Sequence, residues 1–203
     1  MTGRLGQQAL LEVPPERRLI VPKGYGAHWG IDGSTRRVAI AWSRADGELG
    51  VESAEFAPFE GPHRLNDIYV ATRQAVARRR TSGPLPGIVW LERGIANSRG
   101  ANPDLIYALG VIQAAVWAGL GVATAYNARF ELTQSTSWKK VACGRGDIYK
   151  PTRKALGRRP EFEDYGVAVW ARDELGYEGS SWDEVDALGM VVAGRRTVML
   201  EER

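Results

Sequence analysis

The chain has 203 residues, 44% of them apolar and 25% charged, with one cysteine, Cys143. That length suits one domain with a sizeable core, and one cysteine excludes an internal disulfide and points to a reducing compartment. Without a signal-peptide core or an apolar run near the roughly 18 residues of a membrane span, a soluble cytoplasmic protein is expected. Net charge is +3, unevenly placed: residues 129–159 hold nine basic residues against two acids, a local net charge of +7 that leaves −4 for the rest. A basic segment on an acidic body predicts a polyanionic partner, most often nucleic acid.

Residues 1–26, with Pro14-Pro15 and Leu19-Ile20-Val21 before Pro22, read as a weakly ordered extension with one short edge strand. Runs over 27–32, 38–42 and 50–56 predict three consecutive antiparallel strands, the last two joined by a turn at Asp46-Gly47. Residues 65–80 repeat apolar positions at three- and four-residue steps and read as an amphipathic helix. Arg78-Arg79-Arg80 falls in its last turn, where cations suit the helix dipole. After the break at Gly83-Pro84-Leu85-Pro86-Gly87, residues 88–92 form a short apolar strand without alternation, as a buried central strand requires.

A Gly-, Asn- and Ser-rich loop leads to Asn102-Pro103-Asp104, which combines a cap, a first-turn proline and a first-turn acid. The helix it opens is expected to run to about Trp117 and to be buried, because it is apolar on more than one face. Gly119-Leu120-Gly121 should end it, with a fifth strand over 122–126. A short helix near 137–143, a turn at Gly144-Arg145-Gly146, a helix from about Lys150 and a helical stretch over 162–175 follow. The last helix opens at Ser181-Trp182-Asp183-Glu184, a capping-box pattern. This order predicts an α/β fold over residues 27–195, with a C-terminal tail over 196–203. Its core is one five-stranded mixed sheet, the first three strands antiparallel, with helices on both faces.

Carboxylates recur at the ends of apolar elements. Asp32 closes the first strand, Glu92 closes the fourth, and Asp183 and Asp186 share one face of the last helix's first turns. Taken alone, each has an ordinary explanation, Asp32-Gly33 as a hairpin turn and Asp183 as a helix-start acid. If the first and fourth strands are parallel neighbours, Asp32 and Glu92 meet at one sheet edge, and a helix packed there completes a cluster of four acids. Such a cluster cannot stay ionised without cations. All-oxygen ligands suit Mg²⁺ or Mn²⁺, and two such ions about 4 Å apart would activate water and stabilise a leaving oxygen in phosphodiester cleavage. Gly33 and Ser34 keep the turn small where a phosphate would approach, with Arg36 or Arg37 to steady it. Trp138, among lysines, is a candidate to stack on a base. Cys143, His28 and His63 read as structural.

Gly30-Ile31-Asp32, Leu91-Glu92 and Asp183-Glu184-Val185-Asp186-Ala187-Leu188 resemble the acidic motifs of RuvC-like Holliday junction resolvases, a family of the ribonuclease H-like superfamily. Trp138 to Gly146, together with Lys150, resembles that family's valine-lysine run, Gly-x-Gly turn and following lysine. The resemblance spans residues 28–193 in order. It implies a ribonuclease H-like fold and a Mg²⁺-dependent endonuclease with two ions per site, Mn²⁺ substituting. It also implies paired nicks in four-way DNA junctions and a homodimer. Catalytic and metal-binding roles fall on Asp32, Glu92, Asp183 and Asp186, with Lys139 and Lys150 near the scissile phosphate. Lys140, Arg145, Arg153, Lys154, Arg93 and Arg99 complete the expected DNA-binding set.

Where bacterial members carry a phenylalanine near the junction crossover, this chain reads Arg93-Gly94-Ile95-Ala96-Asn97. Ile95 or the loop arginines would take its place. The unusual extension and the stretch before Trp182 suggest a phage-encoded member acting in the host cytoplasm on a broader set of branched DNA. Two rivals stand beside this reading. One is a non-catalytic branched-DNA-binding protein on the same fold. The other is an actin-like or sugar-kinase-like ATPase, to which Asp32-Gly33-Ser34-Thr35 is superficially similar but for which one domain is too small.

Overall fold

The computed structural model describes residues 9–11, 27–44, 46–56, 63–93 and 103–201. Among these, six strands form one sheet: β1 (Ala9–Leu11), β2 (Ala27–Gly33), β3 (Arg37–Ser43), β4 (Leu49–Glu55), β5 (Pro86–Glu92) and β6 (Arg129–Thr133). Their spatial order is β1-β4-β3-β2-β5-β6. β2, β3 and β4 form an antiparallel meander, and β5 and β6 extend it in parallel from β2. The expected five-stranded mixed sheet is present. The short β1 joins it as an added edge strand against β4, with Ala9 opposite Val51.

Alternation along the strands divides the core into two layers. Trp29, Ile31, Val38, Ile40, Trp42, Val89 and Leu91 pack toward α1 (Arg64–Ser82) and α2 (Pro103–Asn127). Ala39, Ala41, Leu49 and Val51 pack toward α3 (Ser135–Cys143), α5 (Gly166–Leu175) and α6 (Trp182–Glu201). A single turn, α4 (Arg153–Leu156), precedes α5, and its Thr152 side chain caps it by accepting from the Ala155 N–H. β2 is buried along its whole length, as expected of the strand between both partners.

The last helix sits unusually close to the sheet. A Cβ on Gly30 would collide with the Ala187 carbonyl and come within 3.0 Å of Val191 Cγ2. The glycine of β2 therefore lets α6 lie directly over the strand. Val185, Leu188, Val191 and Val192 are fully buried there. Each contributes roughly 1.5–3 kcal/mol relative to an exposed position. α6 runs on to Glu201, so residues 196–201 continue the helix rather than forming a separate tail.

Two expectations are corrected in the middle of the chain. Residues 122–126 are helical, not a strand, and the fifth strand of the expected sheet is β6 at Arg129–Thr133. Gly121, at φ 72° and ψ 158°, is not helical: the first helical segment ends at it, as expected, with Arg80 Nη1 capping the Leu120 carbonyl at 2.8 Å, and a second helical segment continues across the kink to Asn127. Ala123 and Ala125 favour a further helical turn, closed where Asn127 Nδ2 donates to the Ala123 carbonyl at 2.8 Å. The alternation of Phe130 and Leu132 with polar residues then makes the strand. Second, Asp104–Asn127 is long and apolar enough to cross a membrane by length and composition, contrary to the expectation that no such stretch exists. Its inner residues Ala108, Ile112, Ala115, Val116 and Leu120 are buried in the fold. Tyr107, Trp117, Val122 and Tyr126 are exposed on its other side.

Candidate metal centre

β2 and β5 run in parallel with Ile31 beside Leu91, so the next residues of each strand, Asp32 and Glu92, leave the sheet at the same edge. Asp32 follows Gly30 by two residues and shares its face, toward α6. The approach permitted by Gly30 then brings the first turns of α6 over that edge.

The start of α6 is held by a cap that differs from the simple capping box. Ser181 Oγ accepts from the Glu184 N–H at 3.3 Å, as expected. Glu184, however, does not turn back to Ser181. It accepts from Ser53 Oγ at 2.5 Å and from the Tyr177 hydroxyl, whose oxygen in turn accepts the Ser181 N–H at 3.3 Å. Arg37 Nη1 donates to Ser181 Oγ at 2.8 Å and its other Nη pairs with Glu55, tying the helix start to β3 and β4. Arg37 is thus engaged in scaffolding the helix. Gly33 also has a packing role, because a Cβ there would strike Ile112 of α2.

The result is a cleft of about 450 Å³ lined by Asp32, Glu92, Asp183, Asp186, Lys150, Lys139, Ser34, Tyr149 and Trp182, among others. One carboxylate oxygen from each of Asp32, Glu92 and Asp186 lies within 4.8 Å of the others. Asp183 stands at the cleft beside them, one oxygen accepting from Ser34 Oγ at 3.3 Å. The four acids foreseen from the sequence are therefore brought together, three as a tight cluster and Asp183 at its margin.

Burial raises the Asp32 carboxyl well above the ordinary range; Lys150 opposes the rise and Glu92, Asp186 and Asp183 add to it. Glu92 is also raised, first by burial and then by Asp186, with Lys150 again opposing. Asp32 Oδ2 is buried and has no hydrogen-bond partner among the described residues, while the Lys150 ammonium lies 3.7 Å from it. A buried carboxylate oxygen facing two other carboxylates is costly unless a cation meets it. The donor set fits a hard divalent ion: oxygen only, carboxylate, convergent, at the rim of a cleft.

A cation already reaches this place. Lys150 Nζ lies 2.8 Å from Asp186 Oδ2, 3.3 Å from Asp183 Oδ1 and 3.7 Å from Asp32 Oδ2. Burial alone would lower its pKa, but the three aspartates outweigh that and raise it well above the usual lysine value.

Lys139 is placed differently from the expectation of a DNA-facing lysine. It is buried at 4% exposure, and its ammonium donates to the Ile148 carbonyl at 2.9 Å, two residues before Lys150. Trp138 is likewise buried, its ring under Gly189 of α6, so it is a core residue and does not present a face for base stacking. Lys140, Arg93, Arg153 and Lys154 are exposed, and exposed Arg145 forms a two-pronged pair with Asp147 at 3.1 Å. Arg99 and Ile95 lie outside the described residues. The thiol of Cys143, half-buried against the core, is pushed up to about 12, chiefly by burial, in keeping with its structural reading.

Tyr165 is a site residue that reading by motif and spacing passes over. Its hydroxyl donates to Asp186 Oδ1 at 2.6 Å, and the residue is fully buried. Burial, then the negative charge of Asp186, pushes its pKa far up, so it remains a proton donor. No spacing rule links position 165 to position 186. The hint lay in a polar-tipped aromatic at the start of the apolar stretch Tyr165 to Trp170.

A mixed sheet of three antiparallel strands continued by two parallel ones, with carboxylates at the junction edge and on a closing helix, is the ribonuclease H-like fold. No protein-family model and no curated protein matches the chain. Among solved structures it is similar to RuvC of Thermus thermophilus, with TM-score 0.56 and 17% identity over 86% of this chain and 96% of that one. T. thermophilus RuvC in complex with a Holliday junction substrate matches at TM-score 0.56 and 16% identity, over 86% of this chain and 95% of that one. The yeast mitochondrial Holliday junction resolvase matches at TM-score 0.46 and 16% identity, over 93% and 86%. The RuvC-like resemblance noted in the sequence motifs therefore holds for the fold.

Proposed function

We propose that this protein is a metal-dependent endodeoxyribonuclease that cuts phosphodiester bonds in four-way DNA junctions and related branched DNA. The observation that carries the reading is the trio Asp32, Glu92 and Asp186, with one oxygen of each within 4.8 Å of the others and both aspartates buried, on a fold shared with RuvC. RuvC of T. thermophilus has itself been seen in complex with a Holliday junction substrate.

Asp32, Glu92, Asp183 and Asp186 would hold Mg²⁺, two ions per site, with Mn²⁺ as a substitute. When bound, the ions supply an activated water and charge stabilisation at the leaving oxygen. The protein's own contribution is positional. β2 and β5 fix Asp32 and Glu92 on a rigid edge, and the Ser181 cap fixes the angle at which α6 delivers Asp183 and Asp186. Lys150 offers an ammonium at the rim, able to neutralise an incoming phosphate. Exposed Lys140, Arg145, Arg153, Lys154 and Arg93 grip the backbone, while Lys139 acts from within by holding the Lys150 loop. The exposed Tyr107, Trp117, Val122 and Tyr126 of α2 supply the seam of a homodimer, which would set two sites on the two arms of a junction. The protein acts in the cytoplasm.

A labelled synthetic four-way junction, incubated with Mg²⁺ or with EDTA, tests this. Metal-dependent nicking is expected, abolished in Asp32→Asn and Asp186→Asn while junction binding survives. Undiminished cleavage by Asp32→Asn would sink the catalytic assignment. Salt-sensitive binding without cleavage by the unaltered protein would favour a non-catalytic junction binder.

A further inference from the structure

We infer that Tyr165 is a positioning residue that makes Asp186 a one-oxygen metal ligand, and thereby sets which divalent ion the cleft prefers. The inference rests on the reading of Asp186 as a metal ligand. Tyr165 donates to Asp186 Oδ1 at 2.6 Å, which leaves Oδ2 as the oxygen turned to the cleft, where Lys150 Nζ now meets it at 2.8 Å.

The tyrosine is held on three sides. Its backbone carbonyl accepts from the N–H groups of Ala168 and Val169 at 2.8 and 3.2 Å, so it is fixed at the start of α5. Its ring meets Trp182, the first residue of α6, with centroids 5.7 Å apart, and the Lys139 ammonium lies 5.4 Å from its centroid. That same ammonium donates to the Ile148 carbonyl. Tyr165 and Lys139 thus hold both partners of the Asp186–Lys150 contact, the carboxylate directly and the lysine through its loop.

A carboxylate with one oxygen engaged by a hydroxyl binds a metal through the other. That suits Mg²⁺ and Mn²⁺, which take single oxygens at short distance in octahedral geometry. Ca²⁺ is larger and accepts both oxygens of a carboxylate. Removing the hydroxyl frees Oδ1, and the balance moves toward Ca²⁺. Loss of an outer hydrogen bond of this kind typically lowers metal affinity about 10–100-fold.

The test is calorimetric titration of the DNA-free protein with Mn²⁺ and, separately, with Ca²⁺, for the unaltered chain, Tyr165→Phe and Asp186→Asn, with thermal melting as the check on folding. Tyr165→Phe keeps the ring and its packing. We expect Mn²⁺ affinity to fall about tenfold or more, with Ca²⁺ affinity held or raised, so that the Mn²⁺/Ca²⁺ ratio drops at least tenfold. An equal loss for both ions would mean general loosening and would overturn the proposal, as would no change in either. If Asp186→Asn binds Mn²⁺ like the unaltered chain, the ligand reading itself fails. If Asp186→Asn loses Mn²⁺ while Tyr165→Phe keeps the original ratio, only the role of Tyr165 fails. Should Tyr165→Phe not fold, Tyr165→Leu, which also lacks the hydroxyl donor and does not overfill the site, replaces it with its melting curve, read by the same ratio.

Discussion

The Lys150 ammonium lies 2.8 Å from Asp186 Oδ2, and the same ammonium meets Asp183 and Asp32. It is the counter-charge that opposes the rise burial imposes on the Asp32 and Glu92 carboxyls. Lys150→Met removes that charge while keeping an apolar stem of similar length. Breaking a wholly enclosed charge pair costs about 3–5 kcal/mol, but Lys150 is 39% exposed, so we expect a loss of about 1–2 kcal/mol at neutral pH without metal. Mg²⁺ added to the variant should restore most of the lost melting temperature, because it fills the same electrostatic role. A variant that melts like the unaltered chain in EDTA would show that the contact contributes nothing to the metal-free protein.

The pH dependence follows from the raised carboxyls. Asp32 and Glu92 bind protons more tightly folded than unfolded. Between the ordinary carboxylate range, about 4, and their raised folded values, the native state holds more protons than the unfolded chain. Stability in that window therefore falls as pH rises. Lys150, also raised, keeps its contribution at all pH values below the usual lysine value and loses it only as pH climbs through its higher folded value. In EDTA, melting temperature should decline as pH rises above the ordinary carboxylate range toward the raised folded values, and saturating Mg²⁺, which favours the ionised carboxylates, should flatten or reverse the slope. Urea melts across that range check it, and a rising stability in EDTA would contradict the assignment.

Much of this was legible in the chain. Strand positions followed from β-prone runs and turn residues, and the convergence of Asp32 with Glu92 needed only the inference that β2 and β5 are parallel neighbours. What stayed hidden has local physical reasons. The helical segment over 122–127 was read as a strand because Gly121 does end the first helical segment, and nothing local shows that the chain turns helical again beyond the kink, where Arg80 from 40 positions earlier caps the Leu120 carbonyl. Lys139 and Trp138 looked like surface residues because they stand among basic neighbours. Yet α3 turns both inward, under Gly189 and against Ile148. Tyr165 was invisible because its partner is 21 residues away on another helix. Charge patterns reveal which residues can do chemistry, whereas orientation depends on which helix face the core selects.

Gly30 belongs to the acidic motif Gly30-Ile31-Asp32, but its role is one of clearance. A Cβ at this position meets the Ala187 carbonyl and Val191, one residue and five residues past Asp186 on α6. Backbone cannot swing aside as a flexible side chain can, so Gly30→Ala must push α6 away from β2. Overpacking of this kind costs about 1–3 kcal/mol. The displacement also carries Asp183 and Asp186 away from Asp32 and Glu92, so Mn²⁺ affinity and junction cleavage should fall further than stability alone explains. Gly110 offers the control, because a Cβ there meets nothing within 4 Å among the described residues. Gly110→Ala lies within α2 and should stabilise by about 0.5–1 kcal/mol through helix propensity, without touching metal binding. Paired urea melts and Mn²⁺ titrations of the two variants separate clearance from propensity. If Gly30→Ala binds Mn²⁺ as tightly as the unaltered chain, the close approach of α6 to β2 is not what assembles the metal centre.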